Sequence, residues 1–220
     1  MNSLKILSRP VSRAFTLVEL LVVIAIIAVL AALVSPVFKK AQDSARSTKC
    51  VSNLRQLGVA LSIYVTENNQ YPFPYYGSGI WYTAIAPILN LPKDGSGKYT
   101  DPSHIFCCPS DKTPGSDANA TPEFSLLKTS YGFNYVTLAP PGTGSNPIRP
   151  INLKSAFYTP VLADSGASPS NYLMNYNSPP SPLIPGSRHR GGANVLFADG
   201  SVRWYIQSDI FYLLRYQKQP

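Results

Sequence analysis

The chain of 220 residues is long enough for one domain of ordinary size with appended segments. Its 14 tyrosines and 9 phenylalanines exclude an intrinsically disordered chain, although 21 prolines predict a body rich in loops. The net charge is +8, but lysine and arginine form no dense stripe, so a nucleic-acid partner is not predicted.

The first predicted element is an apolar run from Ala14 to Phe38, in which Glu19 carries the only formal charge. Its 25 residues exceed the ~20 that a helix needs to cross a bilayer. Basic side chains precede the run and predict a cytoplasmic N-terminus with the body outside: Lys5, Arg9 and Arg13. A carboxylate within lipid is costly, so Glu19 is expected to meet a cation.

Three interpretations of this run treat Glu19 differently. A cleaved secretory signal needs a small-x-small site after the run, and the alanines within the run never fall two residues apart. A plain signal anchor explains the length but leaves the glutamate without a role. The third interpretation gives the glutamate a partner: the residues from Ala14 to Glu19, "AFTLVE", resemble the cleavage and methylation motif of type IV prepilins and type II secretion pseudopilins.

That resemblance implies that prepilin peptidase cuts between Ala14 and Phe15, removes residues 1–14 as a leader and methylates the new terminal amine of Phe15. The family more often has glycine before the cut, so Ala14 departs from its usual pattern. The resemblance also implies that Glu19 pairs with the terminal amine of a neighbouring subunit during assembly. Pro36 lies where many type IV pilins have a helix-bending proline, and it also fits the point where the span leaves lipid.

The helix is predicted to continue past the membrane segment to about residue 66. Apolar or small side chains recur at steps of three and four and form one stripe: Ser47, Cys50, Leu54, Leu57, Leu61 and Tyr64. Polar residues such as Asn53 are assigned to the other faces. The sequence thus predicts a helix over 15–66, of which 15–38 crosses the membrane and the second half packs against a body.

The body, 67–220, is predicted to be a loop-rich antiparallel β-sheet domain that ends in a hairpin over 193–206. Asp199-Gly200 between two strand-like runs predicts a two-residue turn. With Ala198 opposite Ser201, three apolar pairs share one face, which should cover the helix stripe: Phe197–Val202, Val195–Trp204 and Ala193–Ile206. The predicted fold class is therefore α+β, with a long N-terminal helix packed against a small antiparallel sheet, as in pilins.

His189, followed after nine residues by Asp199-Gly200, resembles the H-X9-DG element of a pilin-like family whose body has no defined function. "CPSD", "SYGFN" and "LADSG" match the same family, and the resemblance extends from Phe15 to about Tyr205. A ten-residue strand would separate His189 from Asp199 by ~33 Å. We therefore interpret His189 as a loop residue and Asp199 as a turn residue, and we predict neither a catalytic dyad nor a metal pair.

Three cysteines leave open whether the chain contains a disulfide. In an oxidising compartment Cys50 would pair with Cys107 or Cys108 and leave one thiol over, whereas three buried thiols are the other interpretation. A cysteine in the helix stripe and one at a strand end could both face the interface between helix and body. We therefore expect Cys50 to lie within disulfide range of one of the vicinal pair.

No catalytic residue, cofactor or resident metal is predicted, because no nucleophile elbow, zinc spacing, P-loop or dinucleotide motif is present. Calcium is the one alternative considered, at Asp111, Asp164 and Asp199, because some major pseudopilins hold calcium in a C-terminal loop. Such loops usually have closely spaced oxygen ligands, and "DSGASPSN" is the nearest approach to one here.

The resemblance implies a non-enzymatic structural subunit that prepilin peptidase processes. Its other partners would be further copies or pilin-like subunits and the cytoplasmic (inner) membrane, which it crosses once. The body would lie outside the cytoplasm, in a periplasmic or cell-surface filament serving secretion, adhesion or surface contact. The alternative is a membrane-anchored module that binds a polymer such as a polysaccharide through stacking side chains in "YPFPYYGSGIWY": Tyr75, Tyr76, Trp81 and Tyr82.

Overall fold

The structure is a computed structural model, and two compact units make up the chain, Met1–Gln42 and Asp43–Pro220. It describes residues 16–73, 75–76, 79–112, 114, 124–138, 147–165, 173–174, 188–206 and 208–210.

One long helix, α1, runs from Leu17 to Asn68 and contributes residues to both units. Pro36 lies inside this helix, which continues past it without a break. The helix ends where Asn69 adopts a left-handed conformation, with φ of 52°, which is a common way for asparagine to terminate a helix. Every side chain of α1 within the first unit is exposed, which is what a lipid-facing or subunit-facing segment requires.

In the second unit α1 buries one face in the core. Cys50, Leu54, Leu57 and Leu61 are fully or almost fully buried, in agreement with the predicted apolar stripe. Asn53, which the sequence places on a face other than the apolar stripe, is buried as well. Its side-chain amide donates to the carbonyl oxygens of His104 and Cys107, each at 3.1 Å, and these bonds attach the helix to the loop that carries the vicinal cysteines.

The body also contains a five-stranded sheet, whose strand order is β5-β3-β4-β6-β7. Its strands are β3 Tyr131–Asn134, β4 Pro160–Asp164, β5 Leu173–Met174, β6 Gly192–Phe197 and β7 Val202–Ile206. All neighbours are antiparallel except the two-residue strand β5, which runs parallel to β3. The α+β class with a long N-terminal helix and a mainly antiparallel sheet is confirmed.

Shorter elements fill the connections, namely β1 Tyr75–Tyr76, β2 Gly79–Ile80, α2 Trp81–Ile85, α3 Tyr135–Leu138 and a 3-10 turn at Pro150–Asn152. β1 and β2 pair with each other as a separate antiparallel ribbon. Trp81 at the start of α2 stacks on Phe133 of the sheet, with ring centroids 6.2 Å apart, and meets Phe106 edge-on at 6.0 Å. These rings form the centre of the core that the helix stripe joins.

The C-terminal hairpin is present, but its predicted register is wrong by one residue. Leu196 pairs with Val202 and Val195 pairs with Arg203, whereas the prediction placed Val195 opposite Trp204. Because side chains alternate across a strand, the slip exchanges the two faces of β7 relative to β6.

The turn explains the slip. The Phe197 N–H donates to the Ser201 carbonyl and the Gly200 N–H donates to the Phe197 carbonyl, both at 2.9 Å, so the loop holds three residues rather than two. Gly200 has φ of +81°, which is typical of a type I turn closed by a glycine bulge.

The predicted contact between hairpin and helix is also corrected. The helix stripe is covered by Leu196, which belongs to the same core cluster as Leu54 and Leu57. Val195 and Phe197 instead form a second cluster with Ile210 on the opposite side of β6. Both sides of this strand are therefore buried.

Candidate functional sites

Thr16 and Glu19 form a reciprocal capping box at the start of α1. The Thr16 hydroxyl accepts the Glu19 N–H at 3.2 Å, and Glu19 Oε2 accepts the Thr16 N–H at 2.9 Å and its hydroxyl at 2.8 Å. Each side chain thereby satisfies a backbone donor that the first turn of a helix leaves free. The pattern S/T-x-x-E was available in the sequence, but the glutamate was interpreted only through the prepilin motif.

The capping box places the carboxylate beside the residue that follows the predicted cleavage point. Among the described residues, Glu19 Oε2 takes all of these bonds and Oε1 takes none, so one oxygen remains for a cation. Ala14 and Phe15, on which the cleavage and methylation predictions rest, lie outside the described residues.

Among the described residues, the part of α1 in the first unit presents an exposed apolar surface. Among the described residues, α1 is the one helix that is long and apolar enough to cross a membrane. Its large side chains are exposed from Leu17 to Phe38. Glu19 is the only charged residue within that stretch.

A disulfide joins Cys50 of α1 to Cys108, which lies in the loop that accepts hydrogen bonds from Asn53. The Cα atoms of the two cysteines are 5.1 Å apart. Cys107 is left as a half-buried free thiol. Burial, with the charges of Asp101 and Asp111, raises the pKa of the Cys107 thiol to about 11. Such a thiol is largely protonated at neutral pH and is a poor nucleophile toward the neighbouring disulfide.

The disulfide lies against a buried histidine and a buried aspartate. His189 Nε2 is 3.3 Å from Cys108 Sγ and 3.4 Å from Asp164 Oδ2. Asp164 Oδ2 also accepts the backbone and side-chain N–H groups of Asn194, at 2.7 and 3.0 Å. Asp164 Oδ1 is buried and has no hydrogen-bond partner among the described residues.

Local backbone geometry brings His189 into this cluster. His189 and Gly192 exchange two backbone hydrogen bonds, of 3.1 and 3.2 Å, around a tight turn. The two residues inside the turn, Arg190 and Gly191, both have positive φ, of 56° and 81°, as a type I′ turn demands. Trp204 Nε1–H donates to the His189 carbonyl at 2.8 Å and fixes the turn against β7.

This cluster does not have the geometry of a catalytic triad. A triad histidine contacts the nucleophile through one ring nitrogen and the carboxylate through the other. Here Cys108 and Asp164 both contact Nε2, and the Cys108 sulfur is bonded to Cys50. The arrangement can exclude water and hold a proton, or it can present several donor atoms to one ion.

The H-X9-DG element spans strand β6 and does not form one site. His189 precedes the strand and contacts Asp164, whereas Asp199 lies in the turn after it. Asp199 Oδ1 accepts the Ser201 N–H and hydroxyl, and Oδ2 accepts from Arg203 at 2.9 Å. Gly200 supplies the left-handed residue of the same turn.

The three aspartates considered for calcium have separate partners. Asp111 forms a buried ion pair with Arg188 at 2.8 Å, Asp164 contacts His189, and Asp199 contacts Arg203. Within the described ranges, one group of side chains could hold a metal ion, and it combines two sulfurs, a carboxylate and an imidazole: Cys50, Cys108, Asp164 and His189. Its members come from α1, a loop, β4 and a turn, so no sequence spacing could have identified them together.

Two of the four side chains named for the alternative interpretation, Trp81 and Tyr82, are not exposed for stacking on a polymer. Trp81 and Tyr82 are fully buried, and their rings pack on Phe106. The backbone pairing of Tyr75 and Tyr76 is described, but their side chains lie outside the description.

Comparison with known proteins finds one matching family model and several relatives that each cover part of the chain. Residues 9–35 match the family model described as a prokaryotic N-terminal methylation motif. A type II secretion system core protein G of Klebsiella michiganensis is 32% identical over 129 residues, which cover 50% of this chain and 91% of that protein.

Two further relatives match over shorter lengths. Type II secretion system core protein G of Pectobacterium carotovorum is 45% identical over 86 residues, or 38% of this chain and 55% of that protein. The type IV major pilin protein PilA of Myxococcus xanthus is 39% identical over 62 residues, or 28% of each chain. No solved structure matches the chain.

Proposed function

This chain belongs to the family of type II secretion pseudopilins and type IV pilins, a family of structural filament subunits, and we propose that prepilin peptidase processes it between Ala14 and Phe15. The mature chain would be anchored in the inner membrane by α1, with its body outside the cytoplasm. It would then assemble with further copies or other pilin-like subunits. The matched methylation motif and the exposed apolar half of α1 support this proposal.

The observation that carries the assembly role is the position of Glu19. Its carboxylate lies at the start of the helix, next to the residue that follows the proposed new terminus, and one of its oxygens has no hydrogen bond among the described residues. In lipid, an unpaired carboxylate costs several kcal/mol or takes up a proton. A terminal amine on Phe15 of a neighbouring subunit would supply the missing cation.

The capping box gives Glu19 a second role, and one substitution separates the two. Glutamine replaces glutamate in a capping box without loss of the acceptor, so Glu19→Gln keeps the cap and removes the charge. Thr16→Ala is the matched control, because it removes the capping hydroxyl and keeps the carboxylate. Each variant is expressed without the wild-type chain, and leader cleavage and the sheared filament fraction are measured.

We expect Glu19→Gln to be cleaved and retained in the membrane but absent from filaments, because the incoming amine finds no anion. Thr16→Ala should still assemble. Normal filament yield from Glu19→Gln together with loss in Thr16→Ala would mean that capping alone explains the glutamate, and the assembly role would be dropped.

A further inference from the structure

The buried cluster around the Cys50–Cys108 disulfide contains donor atoms that the filament role does not use. Two sulfurs, a ring nitrogen and a carboxylate lie with their donor atoms all within 4.8 Å of one another. All four residues are buried, at no more than 5% exposure. Asp164 Oδ1 is buried and has no hydrogen-bond partner among the described residues, and such an oxygen is costly unless something binds to it.

Two of the distances found in the cluster match those of a tetrahedral metal site. Zinc binds sulfur at about 2.3 Å and nitrogen or oxygen at about 2.0–2.1 Å, so neighbouring ligand atoms in a tetrahedron lie about 3.3–3.8 Å apart. Cys108 Sγ and His189 Nε2 are 3.3 Å apart, and His189 Nε2 and Asp164 Oδ2 are 3.4 Å apart. The two sulfurs, which are bonded to each other, would have to separate by roughly 1.7 Å to bind the same ion.

We propose that the reduced form of this cluster is a zinc site, in which Cys50 and Cys108 as thiolates, His189 through Nε2 and Asp164 through its carboxylate bind one ion. Two thiolates and an imidazole are soft and borderline donors, which select zinc over calcium or magnesium. The disulfide and the metal exclude each other, because both use the same two sulfurs.

The chemistry balances with a dithiol as the reductant. A dithiol gives two electrons and two protons to the Cys50–Cys108 bond and becomes a disulfide itself, which leaves two protein thiols. Zinc then binds both sulfurs and releases those two protons. Reoxidation of the pair to the disulfide, with a disulfide-bearing oxidant taking up the two electrons, expels the ion.

Asn194 is the residue that would orient the carboxylate ligand. Its backbone and side-chain N–H groups both hold Asp164 Oδ2, which fixes the carboxylate in the cluster. Loss of such an outer contact typically weakens metal binding by roughly 10–100-fold. Asn194 thus provides a graded test that leaves all four ligands in place.

The experiment uses the full chain in detergent, with the disulfide intact or reduced by a phosphine that is then removed. Each form is titrated with Co²⁺, whose visible absorption reports tetrahedral thiolate coordination, and then with Zn²⁺ in competition with a chromophoric chelator. We expect the reduced chain to bind one equivalent with a tetrahedral cobalt spectrum and the oxidised chain to bind none.

The zinc affinities of three variants test whether the ion binds at this cluster. Asn194→Ala should weaken zinc binding by roughly 10–100-fold, His189→Gln should weaken it further, and Cys107→Ser should leave it unchanged. Near-UV circular dichroism of each reduced variant, with and without zinc, reports whether the body is folded. A reduced chain that binds no metal overturns the proposal, and so does binding that is the same in His189→Gln or in the chain unfolded by denaturant.

Discussion

The two parts of helix α1 share one secondary structure but differ in what their side chains contact. From Leu17 to Gln42 every side chain is exposed, although Glu19 is the only charged residue from Leu17 to Phe38. From Asp43 to Asn68 a stripe of the helix is buried against the sheet and the loops of its own unit. An exposed apolar surface of this length needs lipid or another subunit to cover it. The comparison separates residues that stabilise the body from residues that serve anchoring and assembly.

Removing the disulfide has the largest expected effect on stability, and it should be confined to the second unit. Replacement of both Cys50 and Cys108 by alanine should lower the free energy of unfolding by about 4 kcal/mol, because the bridge closes a loop of 58 residues. Both tryptophans, Trp81 and Trp204, lie in that unit, so their fluorescence during urea unfolding of the detergent-solubilised chain measures the change.

Cys107→Ser is the matched control for this measurement. Because Cys107 takes no part in the bridge, its substitution should leave the free energy of unfolding within about 0.5 kcal/mol of the wild type. A loss equal to that of the double variant would mean that Cys107 shares the disulfide.

A pair of leucine substitutions tests the comparison along α1 itself. Leu57→Ala removes a fully buried side chain and should cost roughly 2–5 kcal/mol in the same urea experiment. Leu21→Ala, in the exposed apolar part, should not change the unfolding of the body and should instead lower filament yield. Equal destabilisation of the body by both variants would break the proposed division of the helix.

The smallest effect concerns the hairpin turn. Gly200→Ala should destabilise the body by about 1 kcal/mol, because Gly200 has φ of +81° and a Cβ there meets no other atom, so only backbone strain is added. Gly95 is also in open space but has no positive φ, so Gly95→Ala serves as a neutral control. Equal effects of the two substitutions would contradict the three-residue turn.

The helix was predictable because its signals are local. The stripe through Cys50, Leu54 and Leu57 repeats at the helical period, and burial against a single body enforces that pattern. The burial of Asn53 was not predictable in this way, because its side-chain N–H groups donate to two loop carbonyls that no local pattern reveals.

The hairpin register failed for a different reason. Both sides of β6 are buried, so apolar alternation does not distinguish one register from its neighbour. The deciding feature is the turn: Asp199 does not have positive φ, as a two-residue type I′ turn would need, and Gly200 alone does.

The histidine cluster was beyond sequence reasoning. His189 was interpreted through its spacing to Asp199, but its actual contact is Asp164, 25 residues earlier along the chain on a different strand. Only the turn before β6 and the antiparallel pairing of β4 with β6 bring the two together. Such contacts depend on tertiary structure, and the residue types alone did not predict them.

The account depends most on cleavage before Phe15, since without it no terminal amine exists for Glu19 to meet. Intact-mass analysis of the chain purified from membranes of cells with an active prepilin peptidase tests this directly. The account predicts a mature chain that begins at Phe15 and carries one added methyl group. A mass that retains residues 1–14 would contradict it.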